Sequence, residues 1–412
     1  MSRHNLLVAM LCGCLLSLSA APGIAAEQQG PAVSRPMEKP LKAAQDAMTA
    51  KRYDEALELL KQAQSMPEKK PYDQYVINEF LALVYSRQSK YAEAYETFSA
   101  NADSQYMTQG KGERYKVLAQ LAYQLKNYPG AVEWGNKAIA AGENGNDVQL
   151  IVAQAYFLQN KYKDAAAATQ ELVARAEKAG QRPQEMNLKL LWECYRKIND
   201  DNAESKVIEK LLTYYPKPDY WANAMAGLQQ MSNHNDRLTL QIYRLMQAVG
   251  TLKRADQYAE MAQLAQEQGF PGEAQTVLEE GKSKNVFTEQ RDRERADRLL
   301  QAATKLASAA RQGLPRDEQA AAAAPNGEVL VAVGSSYLIN ANDPAKAVPL
   351  ITQGIAKGGL KNVNDAYINL GMAQARGKNV AEAQKAFGKV DKDAGYERLA
   401  KLWSLRAAAK SS

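Results

Sequence analysis

Histidine is scarce in this sequence of 412 residues, which has only His4 and His234. One or two histidines so far apart cannot build a histidine-rich metal site or both halves of a histidine-dependent catalytic relay. Glycine-rich loops that cradle phosphate and alternating Asp and Asn loops that bind calcium are also missing. We therefore predict a protein with no enzymatic activity, no cofactor and no metal, and a solvated His234 in a polar turn.

Cysteine is almost as rare, since the chain has three. Cys12 and Cys14 lie in the first 26 residues, which have the composition of a removable segment, and Cys194 is then the only thiol left. A single thiol forms no internal disulfide, so the fold must depend on core packing. Cys194 stands in a helical pattern and is predicted to be a buried, unreactive side chain.

The sequence also lacks a strong charge of one sign and, after its first 26 residues, any long apolar run. The net charge is +6 from 52 basic and 46 acidic residues, and the two signs alternate along the chain. Nucleic-acid-binding proteins usually cluster their cations, so we predict no nucleic-acid partner. No later run approaches the roughly 20 apolar residues of a spanning helix, so we expect no transmembrane helix in the mature chain.

The first 26 residues combine a positive start, an apolar stretch and small residues, which are the parts of a secretory signal peptide. Cleavage near Ala26 would give an exported, periplasmic protein, with residues 27–39 as a flexible linker. Two alternatives stay open at this point. The segment could remain as an uncleaved membrane anchor, or Cys14 in "LCGC" could carry a lipid.

From about residue 41, apolar residues recur every three or four positions between short polar turns, which predicts helices nearly throughout and an all-α fold. Even "GEVLVAVGSSYLI" at 327–339 is interpreted as a helix, with Gly334 at a close contact. A phrase of the form Tyr-x-x-Ala also recurs, as in "KRYDEALELL" and "NKYKDAAAATQ". Its alanines include Ala56, Ala94, Ala131 and Ala165, at intervals of 38, 37 and 34 residues. This is the length of one helix–turn–helix repeat. Ala274, Ala347 and Ala383 occupy similar positions further on.

These repeats resemble the tetratricopeptide repeat family. "LALVY" with Leu81, Ala82 and Tyr85 is similar to the first helix of such a repeat, and Ala94 and Phe98 follow in the second. "VAQAY" at 152–156 and "LGMAQ" at 370–374 are further copies. The resemblance implies a right-handed superhelical solenoid of stacked helical hairpins. We expect the array over residues 40–312, a linker over 313–326, and further repeats with a C-terminal capping helix over 327–412.

The same resemblance implies a concave surface that binds an extended peptide or a partner helix. In the family this surface uses side chains one or two positions beyond the packing residues. Transferred to this sequence, the rule selects a set of candidate partner-binding residues: Arg87, Gln120, Tyr123, Gln124, Gln154, Phe157, Lys189, Arg196 and Lys197. The cations at 189–197 favour an acidic partner or a carboxylate.

The predicted function is that of a non-catalytic periplasmic scaffold for another protein or peptide of the cell envelope. Resemblance to periplasmic repeat proteins points to envelope assembly, polymer export or Ton-type energy transduction as candidate processes. A lipid-anchored outer-membrane assembly factor and a repeat-based binder of solutes or glycans are the alternatives. The sequence leaves the oligomeric state open.

Overall fold

The computed structural model describes residues 31–232, 235–391 and 393–409. Within these ranges the chain forms twenty α-helices and no strand, which confirms the all-α prediction. The predicted signal peptide at 1–26 and the solvated His234 lie outside the described residues. Among the residues described, no helix is both long enough and apolar enough to cross a lipid bilayer.

The chain divides into two compact units. One holds the described residues up to Asn127 together with Ala140–Glu143, and the other holds Tyr128–Ile139 and the residues from Asn144 onward. The helices of the first unit are α1 (Arg35–Thr49), α2 (Tyr53–Ser65), α3 (Pro71–Arg87), α4 (Tyr91–Asn101) and α5 (Lys111–Gln124).

The helices of the second unit begin with α6 (Tyr128–Ala140), which ends at the boundary, α7 (Asn146–Leu158), α8 (Tyr162–Lys178), α9 (Glu185–Lys197), α10 (Asp201–Tyr214) and α11 (Pro218–Gln230). They continue with α12 (Asp236–Val249), α13 (Ala255–Glu267), α14 (Pro271–Ser283), α15 (Gln290–Ala322) and α16 (Glu328–Asn340). The last are α17 (Pro344–Lys357), α18 (Val363–Arg376), α19 (Val380–Phe387) and α20 (Ala394–Ala409).

The same turn joins the two helices of successive pairs. A residue with a left-handed backbone stands two positions before the second helix begins, at Lys51, Ser89, Asn160, Asn199, Gly269, Asn342 and Lys378. The backbone N–H of the next residue donates a hydrogen bond to a carbonyl of the first helix, as from Lys161 N to Tyr156 O at 3.0 Å. This turn ends one helix, satisfies its last carbonyls and reverses the chain. The Tyr-x-x-Ala phrase therefore opens the second helix of a hairpin, as predicted.

The small residues of the repeat are places where two helices approach each other closely. Ala94, Ala165 and Ala383 are each 0% exposed. A Cβ atom added at Gly371 would lie 2.3 Å from Cε1 of Phe387, and one added at Gly334 would lie 2.7 Å from Cγ1 of Ile351. Both distances are too short for any larger side chain. The packing role predicted for Gly334 is confirmed.

The helix α20 does more than cover the last hairpin. It packs against α18 and α19, as expected of a capping helix, and also against α10, α11 and α12 of the same unit. Leu399, Leu402 and Trp403 are buried in this contact, and Leu405 is half-buried. Arg406 Nε donates a hydrogen bond of 3.1 Å to the carbonyl of Ala248 in α12. The second unit is thus held together across its sequence, not only between neighbouring repeats.

Both predicted linkers are wrong in part, because helices extend into them. The helix α1 begins at Arg35, where Pro36 suits the first turn and Met37 and Leu41 are buried. The helix α15 continues through Pro315 to Ala322, although Gly313 and Pro315 are helix breakers. Tertiary packing outweighs this local preference, since Leu314 and Ala321 are 4% and 0% exposed.

A buried carboxylate joins the start of α1 to α3. Asp73 is 0% exposed and accepts hydrogen bonds from Ser34 N at 2.8 Å, Ser34 Oγ at 2.7 Å and Lys70 N at 2.9 Å. Burial by itself raises the pKa of Asp73, but the hydrogen bonds from Ser34 and Lys70 outweigh it and lower the pKa below its ordinary value of 3.8. The ionised carboxylate therefore stabilises the folded chain.

Replacing Asp73 with asparagine should lower the free energy of unfolding by about 1–2 kcal/mol at neutral pH, because bonds to a charged acceptor become bonds to a neutral one. Since the folded pKa is depressed, the difference should be complete above the unfolded pKa of 3.8 and should disappear as the pH falls through the folded value. Urea denaturation between pH 7 and pH 3 measures it. Asp46→Asn is the control, because Asp46 is exposed and should change stability little. An equal loss for both variants at every pH would contradict this assignment.

Candidate functional site

The predicted partner-binding residues lie on the first helices of successive pairs. Arg87 is an exposed residue at the end of α3, and Gln120, Tyr123 and Gln124 lie on α5 of the same unit. The remaining residues all belong to the second unit, where α7 and α9 pack against each other. Gln154 and Phe157 thus lie on one of these neighbouring helices, and Lys189, Arg196 and Lys197 lie on the other.

One face of α9 combines cations with an exposed apolar side chain. Met186, Lys189, Glu193 and Arg196 follow one another at three- and four-residue spacing, so they form a single stripe, with Lys197 beside Arg196. Met186 is 51% exposed. Glu193 is the stripe's carboxylate and pairs with Arg196 at 2.7 Å. The stripe keeps an excess of positive charge beside an apolar contact.

The two aromatic residues chosen from the sequence are only partly accessible. Phe157 and Tyr123 are both half-buried, and the Phe157 ring packs edge-on against Tyr162, with ring centroids 5.3 Å apart. The exposed apolar residue of α7 is Leu158, which is 45% accessible. The sequence rule selected the right helix but could not show that Tyr162, four residues after Leu158, would cover Phe157. We use the name α7–α9 surface for Leu158, Met186, Lys189, Arg196 and Lys197.

Cys194, the thiol on α9, faces the core. It is 0% exposed, and burial raises the pKa of its thiol to about 11. A thiol that stays protonated at neutral pH is a poor nucleophile. The buried position predicted for Cys194 is confirmed. Within the described ranges, no group of three or more His, Cys, Asp or Glu residues could hold a metal ion.

The second unit also contains a half-open cavity that the sequence did not indicate. Residues of α12, α14, α18, α19 and α20 and of the α16–α17 turn surround a volume of about 940 Å³. This lies at the upper end of the range for small-molecule sites. Three arginines line it: Arg244 from α12, Arg376 from the end of α18 and Arg406 from α20. We call it the arginine cavity.

Arg244 is fully engaged within the protein. Its guanidinium donates to both oxygens of Glu273 on α14, with Nε to Oε1 at 2.8 Å and Nη2 to Oε2 at 2.7 Å. The two side chains are 3% and 9% exposed. The guanidinium carbon of Arg244 lies over the Phe270 ring, 4.8 Å from the ring centroid. Arg244 and Glu273 therefore form a buried, two-pronged ion pair in the cavity wall.

Arg376 and Arg406 are bonded to carbonyl groups instead. Arg376 Nη1 donates to Leu338 O at 2.8 Å and to Asn342 Oδ1 at 3.2 Å, and Arg406 Nε donates to Ala248 O. Both carbonyls stand in the last turn of a helix, where the helix dipole favours a cation. Arg406 is half-buried, and burial lowers the pKa of its guanidinium, whereas the Arg376 side chain is exposed. Neither cation forms an ion pair with a carboxylate within the described residues.

Trp403 forms part of the same wall. Its ring is 7% exposed and stacks on Phe387, with centroids 6.3 Å apart and an angle of 13° between the planes. The indole Nε1 is buried and has no hydrogen-bond partner among the described residues. A buried indole N–H normally finds an acceptor. The sequence carried no signal for this site, because Arg244, Arg376 and Trp403 come from distant parts of the chain.

Successive hairpins have the left-handed turn and, after it, a buried small residue, in the order expected of helical hairpin repeats. This is the order that the resemblance to tetratricopeptide repeats led us to expect. In one hairpin, Gly371 and Phe387 make the close contact between the two helices. No protein-family model matches this chain, and no curated protein does either.

Comparison with solved structures finds other helical-repeat proteins. A tetratricopeptide repeat protein from Parabacteroides merdae is 12% identical, and the alignment covers 83% of this chain and 100% of that one, with a TM-score of 0.32. The pentatricopeptide repeat protein PPR10 from maize is 12% identical over 91% of this chain and 62% of its own, with a TM-score of 0.32. The TPR2AB domain of yeast Sti1, in a complex with pHSP90, is 15% identical over 72% and 98%, with a TM-score of 0.25. Similarities this weak carry no argument about function.

Proposed function

We propose that this chain is an exported, non-catalytic repeat scaffold that binds an acidic segment of another cell-envelope protein through the α7–α9 surface. The observation that carries the proposal is the composition of that surface. Leu158 and Met186 are 45% and 51% exposed, and both lie on helices that pack against each other. Lys189, Arg196 and Lys197 are exposed beside them.

The charge of this surface argues for an acidic partner. Of its cations, Arg196 is paired with Glu193 on the same helix, at an exposed position where such pairs contribute little. Lys189 and Lys197 extend the positive stripe along α9. A partner segment with acidic side chains would gain from all three cations, and an apolar residue between them could cover Met186 or Leu158. Charge complementarity of this kind sets partner choice and association rate.

Two further observations support the other parts of the proposal. The sequence of residues 1–26 has the features of a signal peptide, which favours a periplasmic location over a lipid anchor at Cys14 because apolar residues continue past Cys14. The absence of catalytic activity is supported by the Cys194 thiol, whose pKa is raised, and by the histidine content. Envelope assembly, polymer export and Ton-type energy transduction are the processes in which such a scaffold would serve.

Reversing two charges of the α7–α9 surface should strongly reduce partner binding. A photo-crosslinking amino acid at Leu158, introduced into the full chain in living cells, should capture one protein in the periplasmic fraction, through an acidic segment that mass spectrometry can identify. In Lys189→Glu/Arg196→Glu, the yield of that adduct should fall about tenfold or more, because like charges would then face each other.

Lys163→Glu supplies the matched control, since Lys163 is an exposed cation on the neighbouring helix α8. The adduct should form normally in this variant. The proposal fails if the double variant gives the same adduct in the same yield, or if the captured segment is not acidic.

A further inference from the structure

The arginine cavity has a surplus of positive charge that the protein itself does not neutralise. Glu273 is taken up by Arg244 in a two-pronged pair. Glu280, the other carboxylate of the wall, pairs with Lys284 and accepts a hydrogen bond from Gln247. Arg376 and Arg406 remain as cations whose neighbours are carbonyl oxygens.

Each of these two guanidinium groups also keeps hydrogen-bond donors in reserve. A guanidinium has five N–H donors in a fixed plane. Arg376 uses Nη1, and Arg406 uses Nε. Among the residues that the structure describes, no acceptor is bonded to Nη2 of Arg376 or to either terminal nitrogen of Arg406. Guanidinium groups with free terminal nitrogens are suited to an oxyanion, which they can hold by two parallel bonds.

The rest of the wall combines the polar residues Gln247, Asn342 and Lys378 with apolar ones. Met372, Val380 and Trp403 line the cavity. The buried indole Nε1 of Trp403 lacks an acceptor in the described chain, and leaving such a donor unpaired costs free energy. The indole nitrogen itself has almost no accessible surface, so a molecule in the cavity would contact the ring of Trp403 and not its N–H.

We propose that the arginine cavity binds an organic anion. Arg376 and Arg406 hold its carboxylate or other oxyanion group, and an apolar body packs against Met372 and Val380. A volume of about 940 Å³ accommodates such a molecule or the end of a peptide chain. The site is separate from the α7–α9 surface, so each can be tested without the other.

Binding can be measured with the fluorescent probe 8-anilinonaphthalene-1-sulfonate, an oxyanion on an aromatic body. Titration of the full chain should show one site, with affinity that falls as salt screens the cations. Arg376→Gln and Arg406→Gln should each weaken binding about tenfold, the expected effect of losing a charge-assisted hydrogen bond. Arg291→Gln, on the exposed face of α15, should bind as the unchanged chain does.

A further variant keeps the test decisive if an arginine variant fails to fold. Val380→Glu leaves both arginines in place and puts a carboxylate at the first position of α19, where a negative charge favours the helix. It should reduce probe binding at least as strongly as Arg406→Gln. The uncharged probe N-phenyl-1-naphthylamine should bind Arg406→Gln and the unchanged chain alike. An equal loss for both probes, or an undiminished affinity of Val380→Glu for the anionic probe, would overturn the proposal.

Competition then distinguishes the sources of the anion. Displacement of the probe by laurate supports a free organic acid. Displacement by a peptide with an apolar C-terminal residue, but not by its C-terminal amide, supports a peptide carboxylate. If inorganic phosphate displaces the probe as well as either of these does, the apolar part of the proposal is wrong.

Discussion

Replacing Arg244 with alanine is expected to lower the free energy of unfolding by about 3–5 kcal/mol, because it leaves the Glu273 carboxylate buried without its partner. The side chains of Arg244 and Glu273 are 3% and 9% exposed, so water can replace little of the lost interaction. Glu273→Ala should cost a similar amount, since the guanidinium is then the uncompensated charge. Urea denaturation of the full chain measures both losses.

Removing both charges should be far less harmful than removing one. The double variant Arg244→Met/Glu273→Leu keeps the volume and removes the desolvation penalty, so its stability should lie within about 2 kcal/mol of the unchanged chain. An exposed pair gives the matched comparison. Arg254 and Asp256 are as close, at 2.6 Å, but are 69% and 61% exposed. Arg254→Ala should therefore cost about 1 kcal/mol or less. Equal costs for Arg244→Ala and Arg254→Ala would show that burial of the pair has no energetic consequence.

Gly327→Ala is expected to destabilise the second unit by about 3 kcal/mol, because no side chain fits at this position. A Cβ atom at Gly327 would lie 1.8 Å from the backbone oxygen of Gly354, and no rotation of a side chain can relieve that contact. The φ angle of Gly327 is −76°, which any residue adopts, so the expected loss comes from the collision alone. Thermal unfolding followed by circular dichroism measures the loss.

Gly313→Ala is the control for the effect of removing a glycine. Gly313 lies inside α15, and an added Cβ would be 3.4 Å from its nearest neighbour, the Oδ2 atom of Asp317, which is an ordinary contact. Alanine is the better helix former, so this variant should be more stable by about 0.5–1 kcal/mol. Opposite signs for the two substitutions are the result that we expect. A stabilised Gly327→Ala would mean that α16 and α17 are further apart than the structure has them.

Features that depend on local periodicity were predictable from the sequence, and features that depend on tertiary contacts were not. The spacing of apolar residues predicted the helices, and the recurring alanine predicted the close contact within each hairpin. The predicted linker over 313–326 was wrong in part because Leu314 and Ala321 are held by packing. The local preference for breaking a helix at Pro315 contains no information about that packing. The partial burial of Phe157 was not predictable for a similar reason, since it depends on how the Tyr162 ring lies.

The arginine cavity shows the same limit more strongly. Arg244, Arg376 and Arg406 are ordinary helix residues in sequence, where cations at helix ends are common. Only the packing of α12, α18 and α20 brings them to one space. The candidate residues of the α7–α9 surface were accessible to sequence reasoning because they recur at fixed positions in a repeat. Their role in binding stays a prediction.

The long-range contacts of α20 have a consequence for how the protein is made. In a linear repeat array each repeat contacts its neighbours, so the chain can fold progressively as it is synthesised. Arg406 and Ala248 are separated by 158 positions, and Arg398 reaches Met231 across 167. Without α20, the faces of α10, α11 and α12 that it covers stay exposed. Completion of the second unit therefore requires its last described helix, and a chain truncated before α20 would leave an apolar surface open to aggregation.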